Sequence, residues 1–240
     1  MAAAVAAADT GAHTRFGTVK NVFDGDTVEL ASGEVIRLLG IDAPESNSRN
    51  RNIPSQPFFL ESRDALAALV GRKKVLLKPG IAPVGRYGRT LAYLHLQDGT
   101  DVQLEMLRGG HAMMTAYPPD LAHLGVYSQV EAEARRNRTG MWGDPYFAVQ
   151  PLARGVPRKD GPARVSGVIT SVSTTGKRIK ITVSESLTLQ IQHPAWHRYW
   201  RPAEAQHWVG KRAVAQGRIR SKSKTMHITH PAMLRIGGAE

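Results

Sequence analysis

Between Val35 and Leu39 an arginine, Arg37, stands among alternating apolar residues, and aspartates flank the stretch at Asp24, Asp26 and Asp42. A guanidinium in a half-buried strand is costly unless a carboxylate meets it. The chain must therefore fold so that the segments around Arg37 bring acids to it. Asp26, Asp42 and Glu45 are the acids at hand, either as a structural ion pair or as part of a site. Alternation over Arg15–Val22, Thr27–Ala31 and Val35–Ile41 predicts three strands, with turns at Asp24-Gly25-Asp26 and Ala31–Glu34. Phe58–Val70 has helical spacing and ends at Gly71. Lys74–Lys78 and Thr90–Leu96 return to strand character, while Val102–Arg108 and Leu121–Arg136 are predicted helices. Interleaved this way, residues 15–145 are predicted to form an α+β unit, a five-stranded barrel with helices packed around it.

Asp144–Pro162 holds prolines at 145, 151, 157 and 162 and shows no sustained periodicity, so residues 146–163 are expected to be a linker. Beyond it, Val165–Val172, Arg178–Val183, Leu187–Ile191, Ala213–Arg220 and Met226–Thr229 give five strand candidates. The helix-length stretch Pro194–Val209 falls between the third and fourth. That is the order of an OB-fold, so residues 164–240 are expected to be a second, small all-β barrel. Its Trp196, Trp200 and Trp208 are expected to close the barrel bottom as core.

Charge divides the same way. Residues 1–150 carry 16 Lys+Arg and 16 Asp+Glu, whereas residues 151–240 carry 16 and 4, so the whole formal excess of +12 lies in the last part. Arg212, Arg218, Arg220, Lys222 and Lys224 gather on the fourth strand candidate and the turn after it, which in OB barrels commonly lines the binding groove. The split suggests a division of labour, one unit acting on a polyanion and the other holding it. Deleting residues 151–240 should then weaken binding and spare the chemistry.

The acids and arginines of the first unit fit metal-assisted phosphodiester cleavage. Hard divalent cations take carboxylate and carbonyl oxygens, and guanidinium groups stabilise charge developing on phosphorus. Through Asp24-Gly25-Asp26-Thr27, Arg37–Glu45 and Arg86–Tyr93, the chain resembles the staphylococcal nuclease (thermonuclease) family, out to Gly140-Met141-Trp142. The resemblance implies that Asp26 and Asp42 bind one Ca²⁺, helped by the main-chain carbonyl of Ala43, where threonine is usual. It implies that Glu45 orients or deprotonates the attacking water and that Arg37 and Arg89 stabilise the transition state, with Asp24 behind them holding a water or a turn amide. Arg86 and Tyr87 match contacts to a terminal phosphate. Tyr117 matches one of two base-stacking tyrosines, and the other falls on Thr115. The implied activity is hydrolysis of DNA or RNA to 3′-phosphate ends, with a preference for single strands if the basic barrel holds them. Some superfamily members have lost catalytic residues and serve as nucleic-acid-binding scaffolds; the presence of Asp26, Arg37, Asp42, Glu45 and Arg89 together argues for catalysis.

Without cysteine, neither a disulfide nor a thiolate zinc site is possible. The pairs His193/His197 and His227/His230 have zinc-like spacing but no acidic or thiol partner nearby. No apolar run reaches membrane-spanning length, and nothing points to an obligate protein partner. Residues 1–14 are expected to be a leader whose Ala6-Ala7-Ala8 has the form of an export cleavage site. An extracytoplasmic location follows as an expectation.

Overall fold

Two closed five-stranded barrels, joined by a packed connection, account for nearly all regular structure in the computed structural model, which describes residues 13–46, 55–85, 88–156, 161–200 and 202–237. Residues 1–12, which hold most of the expected leader, and Arg86 and Tyr87 lie outside these residues. In the first barrel β1 (Arg15–Asp24), β2 (Thr27–Leu30) and β3 (Val35–Leu38) form a meander. β4 (Ile41–Asp42) and helix α1 (Phe59–Val70) precede β5 (Lys74–Val84) and β6 (Thr90–His95). Closure comes from β6 running parallel to β3 and from β5 pairing with the first half of β1. Val19, Val28, Ile36, Leu38, Val75, Leu77 and Leu94 fill the interior. Because strand side chains alternate, the inward Ile36 and Leu38 turn Arg37 outward.

Val35–Ile41 is not one strand, as alternation suggested. The chain turns at Leu39-Gly40, and β4 leaves the barrel to pair with β7 (Met113–Met114), which follows helix α2 (Val102–Arg108). Helix α3 (Leu124–Arg136) then packs against α2 and β7.

Within the proline-rich stretch, residues 145–154 carry short elements. Pro145–Phe147 is a 3₁₀ turn, β8 (Gln150–Pro151) pairs with the next strand, and Leu152–Arg154 is another 3₁₀ turn. Phe147 and Leu152 are buried. Elements of two or three residues leave no periodic trace in a sequence, which is why the stretch reads as linker.

The second barrel comprises β9 (Gly161–Thr175), β10 (Arg178–Val183), β11 (Leu187–Gln192), helix α4 (His193–Tyr199), β12 (Arg212–Arg220) and β13 (Thr225–His227), with β14 (Leu234–Ile236) added outside β12. β13 runs parallel to β11, and β9 bends so that its first half pairs with β12 and its second with β10. The first barrel has the same strand order, the same parallel closing pair and a helix in the same place. Trp196 and Trp208 are buried against each other at a ring separation of 5.5 Å, with Trp200 stacked at 5.9 Å from Trp196, so the tryptophans do close the barrel. His193 packs against His197 and His230 against Tyr199. Among the described residues no helix is long and apolar enough to cross a membrane.

A buried polar seam joins the barrels. Glu131 of α3 accepts from Met114 N–H at 2.8 Å and from Gln216 Nε2 at 2.9 Å, and pairs with Arg135. Gln216 Nε2 also donates to Met114 O at 3.0 Å. Burial raises the Glu131 carboxyl above the usual glutamate range, against the pull of Arg135 and these donors. Removing one partner from such a network strands the others. Glu131→Ala should therefore lower the unfolding free energy by about 3 kcal/mol in urea denaturation; a loss below about 0.5 kcal/mol would show that the seam contributes little.

Candidate active site

The turn between β1 and β2 delivers Asp26. Asp24 Oδ1 accepts from Asp26 N–H at 3.0 Å, so Asp24 closes the turn from within. Gly25 is required for a steric reason: a Cβ there would lie 2.7 Å from Ala43 Cβ and 2.8 Å from Ser62 Cβ. The turn thus rests directly on α1 and on the segment after β4, and Ala43 N–H donates to Asp26 Oδ2 at 2.7 Å. Thr27 Oγ1 donates to Asp26 Oδ1 at 3.0 Å.

Arg37 bridges the two aspartates. Its Nη1 lies 2.7 Å from Asp26 Oδ2 and its Nη2 2.8 Å from Asp42 Oδ1. Asp26 and Asp42 are 2% and 5% exposed, and the Arg37 side chain that joins them is 17% exposed, so the triad is largely buried with its cation at the edge. Burial raises the Asp26 carboxyl well above the ordinary aspartate range, with Arg37 pulling the other way. Burial also opposes the charge on Arg37, but Asp26 and Asp42 outweigh it, and the guanidinium holds its proton more tightly than usual.

A second guanidinium enters from the other barrel. Arg218 Nη2 lies 2.7 Å from Asp42 Oδ1 and 2.9 Å from Glu45 Oε1. Burial opposes its charge, and Asp42 and Glu45 more than restore it, so its pKa is raised. The basic cluster is therefore divided. Arg218 sits in the acid site; Arg212, at the far end of β12, bonds Ser166 Oγ at 3.1 Å; Arg220, Lys222 and Lys224 are exposed beyond the site.

Tyr117 lies at the rim before a cis Pro118-Pro119 bond. Its ring is about half exposed, and burial and then Asp42 raise its hydroxyl pKa, with Arg218, Arg37 and Arg220 acting against them. Thr115 is buried, its N–H donating to Gly40 O at 2.9 Å, so the position of the second expected tyrosine offers no ring to the rim. Arg89 stands half-buried just before β6, two residues ahead of Leu91, the register partner of Arg37.

A family model described as "Staphylococcal nuclease homologue" matches residues 35–144. The thermonuclease of Staphylococcus intermedius is 31% identical over 127 residues, covering 52% of this chain and 74% of that protein. The chain belongs to the staphylococcal nuclease homologue family. The micrococcal nuclease of Shigella flexneri is 34% identical over 140 residues, covering 54% and 74% of the two chains. An uncharacterized endonuclease of Escherichia coli O157:H7 is 33% identical over 132 residues, covering 53% and 77%. Arg37, Asp42, Glu45 and Arg89 fall within the matched family span, and the second barrel begins after it.

The donor set suits the hard divalent cation that the family implies. Asp26 and Asp42 converge, the Ala43 carbonyl belongs to the residue after Asp42, and both arginines bond Oδ1 of Asp42, leaving Oδ2 for another ligand. Among the described residues no three His, Cys, Asp or Glu gather closely enough to form a site by themselves. Two carboxylates, one main-chain oxygen and water make a shell of the kind calcium takes.

The sequence named Arg218 as a groove residue but gave no sign that it pairs with Asp42 and Glu45. Gln56, which bonds the Glu45 main chain, and Gly161, which lies against Gln56, had no local signal at all. Arg37→Met should lower the unfolding free energy by about 3 kcal/mol, since Asp26 and Asp42 then face each other across a lost cation. Urea denaturation reads this; a loss under about 1 kcal/mol would mean that the triad is solvated.

Proposed function

We propose that the chain is a calcium-dependent nuclease that hydrolyses phosphodiester bonds of DNA and RNA, preferring single strands and leaving 3′-phosphate ends. The observation that carries this reading is the convergence of Asp26, Arg37, Asp42 and Glu45 in one partly open site, the last three of them within the family span. The relatives' names, thermonuclease, micrococcal nuclease and endonuclease, support the reaction class.

In this proposal Asp26, Asp42 and the Ala43 carbonyl hold Ca²⁺, which, when bound, neutralises a phosphate oxygen and draws electron density from phosphorus. Arg37 and Arg89 bond the non-bridging oxygens, which gain charge as water attacks in line. Glu45 orients the water and takes its proton. The P–O bond to the 5′ oxygen breaks, that oxygen takes a proton from solvent while Glu45 returns the water's proton to solvent, and the net result is water divided between a 3′-phosphate and a 5′-hydroxyl. Arg86 and Tyr87 contact a terminal phosphate, and Tyr117 stacks on a base at the rim. Arg220, Lys222 and Lys224 continue outward from Arg218 along β12 and its following turn, which supports a phosphate track leading from the site.

End-labelled DNA and RNA, single- and double-stranded and matched in sequence, should be cut with Ca²⁺ to 3′-phosphate products, and a calcium-selective chelator should stop the reaction. Glu45→Gln should lower kcat by about 1,000-fold and leave binding intact. Binding without cleavage under any metal would replace the nuclease with a scaffold. Lys222→Ala and Lys224→Ala should each weaken single-strand binding and reduce the slope of log K against log salt by about 0.7. An unchanged slope would remove these lysines from the track.

A further inference from the structure

Among the described residues the ion-pair partner of the Glu45 carboxylate is Arg218, and the main chain of Glu45 is held by Gln56. Glu45 N–H donates to Gln56 Oε1 at 2.9 Å, and Gln56 N–H donates to Glu45 O at 3.0 Å. Gln56 in turn lies against Gly161 of the second barrel. A Cβ on Gly161 would sit 1.8 Å from Gln56 Nε2, and the Gly161 φ of +143° is itself one that favours glycine. Gly161 and Arg218 are near neighbours on one ladder, since Gly161 pairs with Ile219 and Pro162 with Arg218. One edge of the second barrel therefore meets both the side chain of Glu45 and the residue that holds its backbone.

That edge is fixed in register. Gln216 bonds Met114 O, and Met114 pairs with Ile41, the residue before Asp42. Two residues further along β12, about 6.8 Å on the same face, Arg218 reaches Asp42 and Glu45.

We propose that the second barrel positions the catalytic carboxylate: Arg218 holds the Glu45 side chain through its ion pair, and Gly161 holds its backbone through Gln56. The proposal rests on the reading of Glu45 as the residue that directs water. Asp42 belongs to the proposed metal ligands, so the Glu45 half of the Arg218 contact carries the inference. On this view the division of labour suggested by charge fails at the site, because the chemistry depends on the second barrel as well.

The test is steady-state cleavage of a single-stranded oligonucleotide with Ca²⁺ by the full chain and by E45Q, R218M, R218K, G161A and the double variant E45Q/R218M, with thermal unfolding of each. R218M should lower kcat by about 100-fold with KM changed less than about threefold, and R218K should recover part of the loss. G161A removes no charge and leaves every ion pair's chemistry intact, yet it should also lower kcat, so it decides the matter if R218M does not fold. Because Arg218 acts through Glu45, the double variant should be no more than about twofold slower than E45Q. A raised KM with unchanged kcat in R218M would make Arg218 a direct phosphate contact and overturn the proposal. Activity at or above the parent level in R218M or G161A, or multiplying losses in the double variant, would overturn it too. An active E45Q would instead defeat the underlying reading of Glu45, an outcome distinct from an inactive E45Q beside a normal R218M.

Discussion

Three charges buried together, Asp26, Arg37 and Asp42, set the terms for the rest of the molecule. Removing an arginine and two carboxylates from water is unfavourable unless each finds the others at hydrogen-bond distance. That requirement dictates the local fold around them. The β1–β2 turn must be tight enough to seat on Ala43 and Ser62, which Gly25 allows. The strand that carries Arg37 must bury its neighbours so that the guanidinium points outward, and the chain must break at Leu39-Gly40 so that Asp42 folds back over the turn. Each feature has its own structural cause, and their common result is a compact set of oxygens beside a guanidinium.

The second barrel extends this logic to a distant part of the chain. With Asp24, Asp26, Asp42 and Glu45 close together and Arg37 their resident cation, the site is acidic before any ligand arrives. Arg218 supplies opposing charge from a strand anchored at Gln216. The seam that anchors it is polar and well satisfied, built from Glu131, Arg135, Gln216 and the Met114 backbone. A seam of this kind specifies one docking geometry more sharply than an apolar contact does, because its hydrogen bonds have direction. The two barrels share a topology, yet their chemistry differs: carboxylates converge on one, and lysines and arginines line a turn of the other.

The strands, the two longer helices of the first barrel and the order of the second were legible because side-chain periodicity and turn residues record local geometry. Arg178–Val183 and Val102–Arg108 match their predicted bounds. The two-residue strands β4, β7 and β8 were not legible, since nothing periodic fits in so short a span. The break at Gly40 was hidden for a related reason: Leu39 and Ile41 continue an apolar pattern on either side of a change in direction.

Residue chemistry alone determined that Arg37 needed carboxylates and that those around it suited a hard cation and a phosphate. It also determined that the last part of the chain is basic. Only the tertiary structure decided which acids Arg37 meets, and that one of the basic residues, Arg218, turns inward to Asp42 and Glu45 while Lys222 and Lys224 stay in solvent. Ion pairs between residues more than 170 positions apart leave no periodic or spacing signal. They arise from the register of two barrels packed on a shared seam, and that register exists only once both have folded.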